Sequence, residues 1–448
     1  MWMRLAAVAA IAFVPCAYAQ GTAPVTPFPE TPPATTPPPR LPLTLADALA
    51  RVARQHPDLR LVDAQQPILE ARRDAAGFAP PLTLGVELEN ALGTGSARRF
   101  DAAELTVTLA GLIERGGKLD ARRVLAQANL DALAPQREVA RLDLMAAVAQ
   151  RYLAITEARA RLAIAETDID QRRRAVAAAR VRMQAGASPE SVLMTAQAML
   201  AQAEVDRDRA RQADRAARVA LAALWREREP GFDVVSGDPL RLPVLQPFDE
   251  LARELQRTPE LAVLAGERRV REAQLQLART QLRPDVSWQL GVRNSRDSGD
   301  TSLVGGFSLP LGSMRRADPD IRAAEAELAL NGVEREARAL QLYATLAEAH
   351  GRYETSRLEV NRMARDVLPQ LKRAENAAEK AWRAGAISYM EWAQLQAMRI
   401  EARQRQLEAA MAAQTALIEL QRLTGQGLLA DAPQATADTA IPSTEGRR

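Results

Sequence analysis

The side chains best suited to catalysis or metal binding are few in this 448-residue sequence. It has two histidines, and His350 stands four residues before Glu354, a spacing that puts two ligands on one face of a helix. Protein metal sites usually need three or four ligands, so this pair alone does not define one. The other histidine, His56, precedes Pro57 and indicates a break between helices. We therefore expect no catalytic residue, no resident metal and no cofactor.

Two other groups of residues could contact a metal ion or form a charged constriction. Five methionines could offer soft sulfur ligands, although methionine at helical spacing usually packs in a core. They are Met183, Met194, Met199, Met390 and Met398. Charges also gather where Asp168-Ile-Asp170 is followed by Arg172-Arg-Arg174. These charges are compatible with a charged constriction or with the solvated surface of a long helix.

Composition narrows the class of protein. Lysine and arginine total 59 and aspartate and glutamate 56, so the net charge of +3 gives no reason to expect a nucleic-acid partner. The single cysteine, Cys16, lies near the start, so the rest of the chain has no disulfide. Phe13-Val-Pro15 precedes it and matches a lipidation signal poorly.

Residues 1–19 have the pattern of a secretory signal peptide. Arg4 precedes an apolar run from Leu5 to Val14, and Ala17-Tyr-Ala19 fits a cleavage site. A spanning helix needs about eighteen consecutive apolar residues, and no later segment offers them. We therefore expect an exported protein without a transmembrane helix.

One turn motif occurs twice, with an offset of 199 residues from Gly186 to Gly385. The same offset aligns Gln197-Ala-Met199 with Gln396-Ala-Met398. Repetition at a fixed offset predicts two similar halves of one architecture.

Each copy of the motif predicts the tip of a helical hairpin. Gly186 and Gly385 can adopt the left-handed conformation that ends a helix. In the first copy we expect Ser188 to cap a new helix whose first residue is Pro189. In the second copy, Ser388 and Glu391 have the spacing of a capping box.

Ahead of each helical hairpin, apolar and polar residues alternate as in a half-buried β-hairpin. The predicted strands cover about residues 81–90 and 102–111, then 285–293 and 302–311. Their apolar residues define a face that we expect to contact lipid: Leu82, Leu84, Val86, Leu88, Leu105, Val107, Leu109, Val286, Trp288, Leu290, Val292, Phe307 and Leu309. A soluble hairpin packed on helices is the alternative, but two matching hairpins favour a membrane barrel. The smallest membrane barrels need about eight strands, so subunits would have to share this one.

The remaining sequence divides at its proline-rich and aperiodic segments. The expected order is a proline-rich tether at 20–42, repeat 1 at 43–225, a linker at 226–247, repeat 2 at 248–425 and a flexible tail at 426–448. In repeat 1, apolar residues recur every seventh position from Val148 to Met183, which is typical of supercoiled helices. Pro135 and Pro369 are expected to kink or divide the long helices.

These features together resemble the outer-membrane efflux protein (TolC) family from Leu43 to Gly425. The resemblance rests on the duplication and on three segments: Arg182-Met-Gln-Ala-Gly186, Tyr152-Leu-Ala-Ile-Thr-Glu-Ala158, and Glu114 to Arg122. Within the last segment Gly116-Gly-Lys118, and separately Leu309-Pro-Leu311, are similar to the heavy-metal, CzcC-like branch.

The resemblance implies a mainly α fold with a small β part, a TolC-like fold of two repeats, each with a β-hairpin and a long α-helical hairpin. It implies a homotrimer in the outer membrane of a Gram-negative bacterium, with a 12-stranded barrel continued by a helical barrel in the periplasm. A periplasmic adaptor (membrane fusion protein), joined to an inner-membrane RND pump, would dock on the tips. The tip residues are Gly186, Ala187, Ser188, Pro189, Gly385, Ala386, Ile387, Ser388 and Glu391.

The implied activity is passive export, with energy supplied by the pump. Heavy-metal cations are the expected substrates through the branch resemblance, and organic compounds are the alternative. A periplasmic coiled-coil adaptor is a less favoured alternative, because it would carry one helical hairpin rather than two that follow two strand pairs.

Overall fold

The structure is a computed structural model, and it describes residues 41–235 and 237–425. The predicted signal peptide, most of the proline-rich tether and the predicted tail lie outside the described residues. The described part is mainly helical with a small sheet part, as the sequence predicts. None of its helices combines the length and apolar character needed to cross a bilayer.

Each half of the described chain contains two leading helices, a β-hairpin and a long helical hairpin. The first half comprises β1 (Leu41–Leu43), α1 (Leu45–Gln55), α2 (Pro57–Ala76), β2 (Thr83–Glu89), β3 (Glu104–Ile113), α3 (Lys118–Asp131), α4 (Leu133–Gln184) and α5 (Glu190–Ala222). The second comprises β4 (Phe232–Val234), α6 (Phe248–Glu254), α7 (Pro259–Thr280), β5 (Val286–Ser295), β6 (Thr301–Ser308), α8 (Ser313–Arg362), α9 (Leu368–Arg383) and α10 (Tyr389–Thr424).

The break between α1 and α2 falls where His56 and Pro57 predict it. His56 has an extended backbone with φ −70° and ψ 132°, which is the conformation that a following proline favours. Pro57 begins α2, where its missing N–H leaves no hydrogen bond unmade. The Nδ1 atom of His56 accepts a hydrogen bond from the Asp58 backbone N–H at 3.2 Å, so the imidazole caps α2.

The long helices are also divided near their prolines. α4 begins at Leu133, so Pro135 falls in its first turn, where backbone N–H groups have no partner within the helix. In the second half a π-helical turn, Met363–Val367, separates α8 from α9 just before Pro369. α4 has 52 residues, which corresponds to about 80 Å of helix at about 1.5 Å per residue.

The two β-hairpins form one antiparallel sheet with the strand order β2-β3-β5-β6. Directly paired residues share a face, so rows can be followed across the strands. An apolar row runs through Val86, Val107, Val292 and Leu303. A polar row on the opposite face runs through Glu87, Thr106, Arg293 and Ser302. The predicted alternation is therefore in register across all four strands.

Two residues that we placed in strands lie outside them. Leu82 precedes the first residue of β2, and Leu309 follows the last residue of β6. Each is next to a proline, Pro81 or Pro310, which has no N–H to donate to a sheet. The strand assignment of these two residues was wrong, because the prolines end the hydrogen-bond ladder.

The inter-repeat segment forms part of the packed structure. Its strand β4 pairs in parallel with β1, and the Phe232 and Val234 side chains are only 2% and 3% exposed. The Tyr152 hydroxyl donates to the Leu43 carbonyl at 3.1 Å and to the Val235 carbonyl at 2.7 Å. In repeat 2, the Tyr353 hydroxyl donates to the Pro243 carbonyl. A buried tyrosine from each repeat therefore holds this segment against the long helices.

The sheet allows a direct test at two glycines. A Cβ atom at Gly291 would lie 2.4 Å from the Val107 carbonyl oxygen, whereas at Gly305 its nearest neighbour would be a Leu290 side-chain atom at 3.7 Å. We expect Gly291→Ala to destabilise the sheet by about 1–3 kcal/mol through overpacking, and Gly305→Ala to be tolerated. A denaturant titration in detergent, followed by the fraction of folded protein, measures the stability of both variants. Equal stability of the two variants would contradict the register.

Candidate functional site

The second hairpin tip has the predicted turn chemistry. Gly385 adopts a left-handed conformation with φ +79° and follows the end of α9. The Ser388 hydroxyl accepts a hydrogen bond from the Glu391 backbone N–H at 3.2 Å. In return, the Glu391 carboxylate accepts from the Ser388 backbone N–H at 2.7 Å and from its hydroxyl at 2.9 Å. These two donors, the backbone N–H first, lower the pKa of Glu391. The capping box is confirmed.

The first tip shares the glycine but lacks the cap. Gly186 has φ +69°, as predicted. However, α5 begins at Glu190, its N-cap residue is Pro189, and no side chain caps the N–H groups of its first turn. The predicted Ser188 cap was therefore wrong. The 199-residue offset explains the error, because it aligns Pro189, and not Ser188, with the capping Ser388.

An aromatic cluster packs the two tips together. The Trp382 and Trp392 rings stack with centroids 4.7 Å apart, and Tyr389 meets each of them edge-on at 6.0 Å. Small and aliphatic side chains of the first hairpin pack against these rings, among them Ala179 and Leu193. The tips predicted separately from two sequence motifs are therefore one contiguous structure. The sequence does contain a signal for this contact, because three aromatic residues lie within the eleven positions 382–392.

The predicted tip residues lie on or near the surface of this structure. Gly186, Ala187, Pro189, Gly385, Ala386, Ser388 and Glu391 are exposed, and Ser188 and Ile387 are half-buried. Ile387 packs against the aromatic cluster and anchors its loop. The exposed backbone and small side chains around the two glycines leave room for a close approach by another helix.

Behind the tips, two ion pairs are buried between helices. Asp168 and Arg172 on α4 lie 3.1 Å apart, and Glu375 on α9 lies 2.7 Å from Arg399 on α10. Burial raises the pKa of both carboxyl groups, although the arginines oppose this shift. Arg172 also contacts the sulfur of Met199 at 3.2 Å.

The charged segment 168–174 therefore divides between two faces of α4. Asp170, Arg173 and Arg174 are exposed, whereas Asp168 and Arg172 face the other helices. The sequence contains a signal for which charges are buried, because Asp168 and Arg172 are four residues apart and therefore lie on the same face of the helix.

The other candidate ligands are dispersed or already partnered. Met194, Met390 and Met398 are 52%, 56% and 45% exposed, whereas Met183 is half-buried against the aromatic cluster. The His350 ring packs edge-on to Phe248 at 5.5 Å. Glu354, four residues after His350, is 2.7 Å from Arg357. No group of three or more possible metal ligands occurs within residues 41–235 and 237–425.

The sheet has one exposed apolar face. Most of its apolar side chains are exposed, from 39% at Val107 to 85% at Phe307. Val286 and Trp288, which we also placed on this face, are half-buried. Leu303, which we did not place on this face, is 81% exposed and pairs with Val292. A continuous apolar surface of this extent indicates an interaction with lipid or another protein.

The opposite face of the sheet is polar and internally paired. Arg293 donates through Nε to the Thr106 hydroxyl at 3.1 Å. Its guanidinium also lies 3.3 Å from Glu89 and 3.4 Å from Glu104. The two faces thus differ sharply in polarity, and the polar one suits contact with water.

An amphipathic four-stranded sheet leading through α3 and α4 to paired helical tips defines a TolC-like fold. The chain belongs to the outer membrane efflux protein family, whose model matches residues 48–225 and 251–426. The match falls in two segments, one in each half of the chain, and it confirms the resemblance inferred from the sequence.

Individual relatives agree with this assignment. The chain is 26% identical over 392 residues to the cobalt-zinc-cadmium resistance protein CzcC of Cupriavidus metallidurans, which covers 86% of this chain and 90% of that protein. Among solved structures it resembles CusC, with a TM-score of 0.72 and 18% identity over 86% of this chain and 92% of CusC. It also resembles VceC of Vibrio cholerae, with a TM-score of 0.68 and 17% identity over 85% of this chain and 96% of VceC.

Because Ser388 caps its helix and Ser188 does not, alanine variants of the two serines test the capping geometry. We expect Ser388→Ala to destabilise the start of α10 by about 1 kcal/mol, because it removes the cap. Ser188→Ala should have no such effect on α5, because Ser188 caps nothing. Hydrogen–deuterium exchange at the first turn of each helix measures both. Faster exchange in α5 after Ser188→Ala would contradict the capping geometry.

Proposed function

We propose that this protein is the outer-membrane channel of a tripartite efflux system. Three copies would form one passive duct, and an inner-membrane pump of the RND type would supply the energy through a periplasmic adaptor. The observation that carries the proposal is the exposed apolar face of the four-stranded sheet in a chain of this family. No reaction is assigned to the chain, so the proposed role is transport and not catalysis.

The sheet supports a location in a membrane. Its strands have seven to ten residues and alternate between an apolar and a polar face, which is the pattern of membrane barrels. β2 and β6 are the outer strands of the sheet, so each has an edge free for pairing with a further strand. Four strands are too few to close a barrel, for which about eight are the minimum. Pairing of β6 in one copy with β2 in the next would complete a barrel of three copies.

The helical hairpins support a role as the periplasmic part of the duct. α4 alone provides about 80 Å, a length suited to crossing a periplasm rather than filling a compact domain. The paired tips expose glycine, alanine and backbone groups, which suit docking of a helical hairpin from an adaptor. The adaptor and the pump are inferred from the family resemblance.

Heavy-metal cations are the proposed substrates. This proposal rests on the similarity to the cobalt-zinc-cadmium resistance protein CzcC over most of both chains. A wide duct selects weakly, so selection would take place at the pump. Export of organic compounds through the same architecture is the alternative.

Arginine substitutions on the two faces of β5 test the membrane location. Leu290→Arg places a charge at the centre of the apolar face and should destabilise the inserted protein by about 2–4 kcal/mol. Gln289→Arg places the same charge on the polar face and should be tolerated. The yield of membrane-inserted protein in a Gram-negative host measures both. Equal loss of inserted protein in the two variants would contradict a lipid-facing role for Leu290.

Deletion of the gene tests the substrate. The native bacterium without the gene should become more sensitive to cobalt, zinc or cadmium, and the wild-type gene should restore growth. Minimal inhibitory concentrations of these metals and of hydrophobic dyes measure this on the same plates. Sensitivity to the dyes alone would favour export of organic compounds and contradict the metal assignment.

A further inference from the structure

Arg182 crosses from the first hairpin to the second at the tips. It lies in the last turn of α4, and its Nη1 atom donates to the Trp382 carbonyl at 2.8 Å and to the Arg383 carbonyl at 3.1 Å. The guanidinium lies over the Trp382 ring, 5.4 Å from the ring centroid. Its Nη2 atom also contacts the Ala187 carbonyl at 3.5 Å, within the first tip loop. One half-buried side chain therefore contacts both tips.

Two of the three carbonyls that Arg182 contacts lie at the end of α9. α9 ends at Arg383, so the carbonyls of its last turn lack partners within the helix and carry partial negative charge. The Trp382 carbonyl accepts a hydrogen bond from the Gly385 backbone N–H at 3.0 Å, and Arg182 supplies a second donor to it. A cation at this position satisfies the carbonyls and interacts favourably with the helix dipole. Arg182 thus acts as a C-terminal cap that is supplied by the other repeat.

This contact runs in one direction. The 199-residue offset aligns Arg182 with Ala381, which has no side chain able to return the interaction. The second tip has its own capping box and aromatic cluster, whereas α5 in the first tip has no side-chain cap. Arg182 therefore joins a less constrained loop to a more constrained one.

We propose that Arg182 is a positioning residue that holds the two tip loops, 186–188 and 385–388, in a fixed relative position, so that they form a single docking surface. This role deepens the proposed function, and it rests on the tips being the docking site. It does not depend on the identity of the adaptor. In this role, Arg182 fixes the geometry of the docking surface and does not itself contact the adaptor.

Lysine is not expected to replace Arg182. The planar guanidinium reaches three carbonyls while it lies over an aromatic ring, whereas an ammonium group is a single point charge. Arg180 provides a matched control, because it is an exposed arginine two residues earlier on the same helix. Trp382, Tyr389 and Trp392 also contact one another. We therefore expect Arg182→Ala and Arg182→Lys to loosen the tips without unfolding the hairpins.

The test measures the distance between the tips in the isolated full-length protein in detergent, with no partner present. The background is Cys16→Ser, with spin labels on Ala187→Cys and Ala386→Cys. Labelled chains are diluted with cysteine-free chains so that each assembly carries one pair. Pulsed electron resonance then gives the distribution of the distance between the labels.

We expect a narrow distribution with Arg182 present and a distribution about twice as wide in Arg182→Ala and Arg182→Lys. Arg180→Ala should match the unsubstituted protein. Hydrogen exchange at residues 384–388 should accelerate about tenfold in Arg182→Ala, while exchange in β3 stays unchanged. This second readout shows that the variant remains folded.

An unchanged distribution in Arg182→Ala, or equal broadening in Arg180→Ala, would overturn the proposal. Because no partner is present, these outcomes are independent of adaptor docking. Suppose that tip substitutions left efflux intact while Arg182→Ala still widened the distance distribution. The proposed docking function of the tips would then be wrong, and the role of Arg182 in holding the two tip loops together would remain supported.

Discussion

The arrangement of the molecule depends on an apolar sheet face that the described chain leaves exposed. Side chains such as Leu84, Leu290 and Phe307 remain more than half exposed, although they are as apolar as any in the core. Burying such surface in an apolar environment stabilises by about 25 cal/mol per Å². The same sheet presents charged and hydroxyl groups on its other face, so a second layer of protein can cover at most one side without burying charge. Lipid on one side and water on the other satisfy both faces.

The duplicated chain uses its two halves unequally. Both repeats supply a β-hairpin and a helical hairpin, but the second tip carries the capping box and the aromatic rings, and the first supplies Arg182. The first tip helps to complete the second, because C-terminal carbonyls of α9 accept hydrogen bonds from a side chain of α4. The equivalent position in repeat 2, Ala381, is free of that role.

Local patterns in the sequence predicted the local structure well. Alternation in the strands, the helix break at His56 and the Ser388 capping box each involve residues within a few positions of one another, so the sequence contains the whole interaction. The errors were also local. Ser188 was assigned as a cap because it precedes a proline, although the repeat register favours Pro189, and Leu82 and Leu309 were extended past prolines that end the strands.

Contacts between segments that are distant in the sequence could not be predicted from such local patterns. Arg182 reaches carbonyls two hundred residues away, and backbone acceptors have no sequence signature. The inter-repeat segment looked like a linker because it is rich in proline and lacks periodicity. Its short strand pairs with β1, and the Val235 carbonyl that follows the strand accepts a hydrogen bond from Tyr152.

The most direct test of the channel assignment is the location and native mass of the full-length protein expressed in a Gram-negative host. Membrane fractionation followed by native mass measurement in mild detergent gives both. We expect an outer-membrane species at about three times the 48.8 kDa chain mass, less the mass of the predicted signal peptide in each copy. A monomer in the soluble periplasmic fraction would contradict it, because the apolar face of the sheet would then have neither lipid nor neighbouring copies.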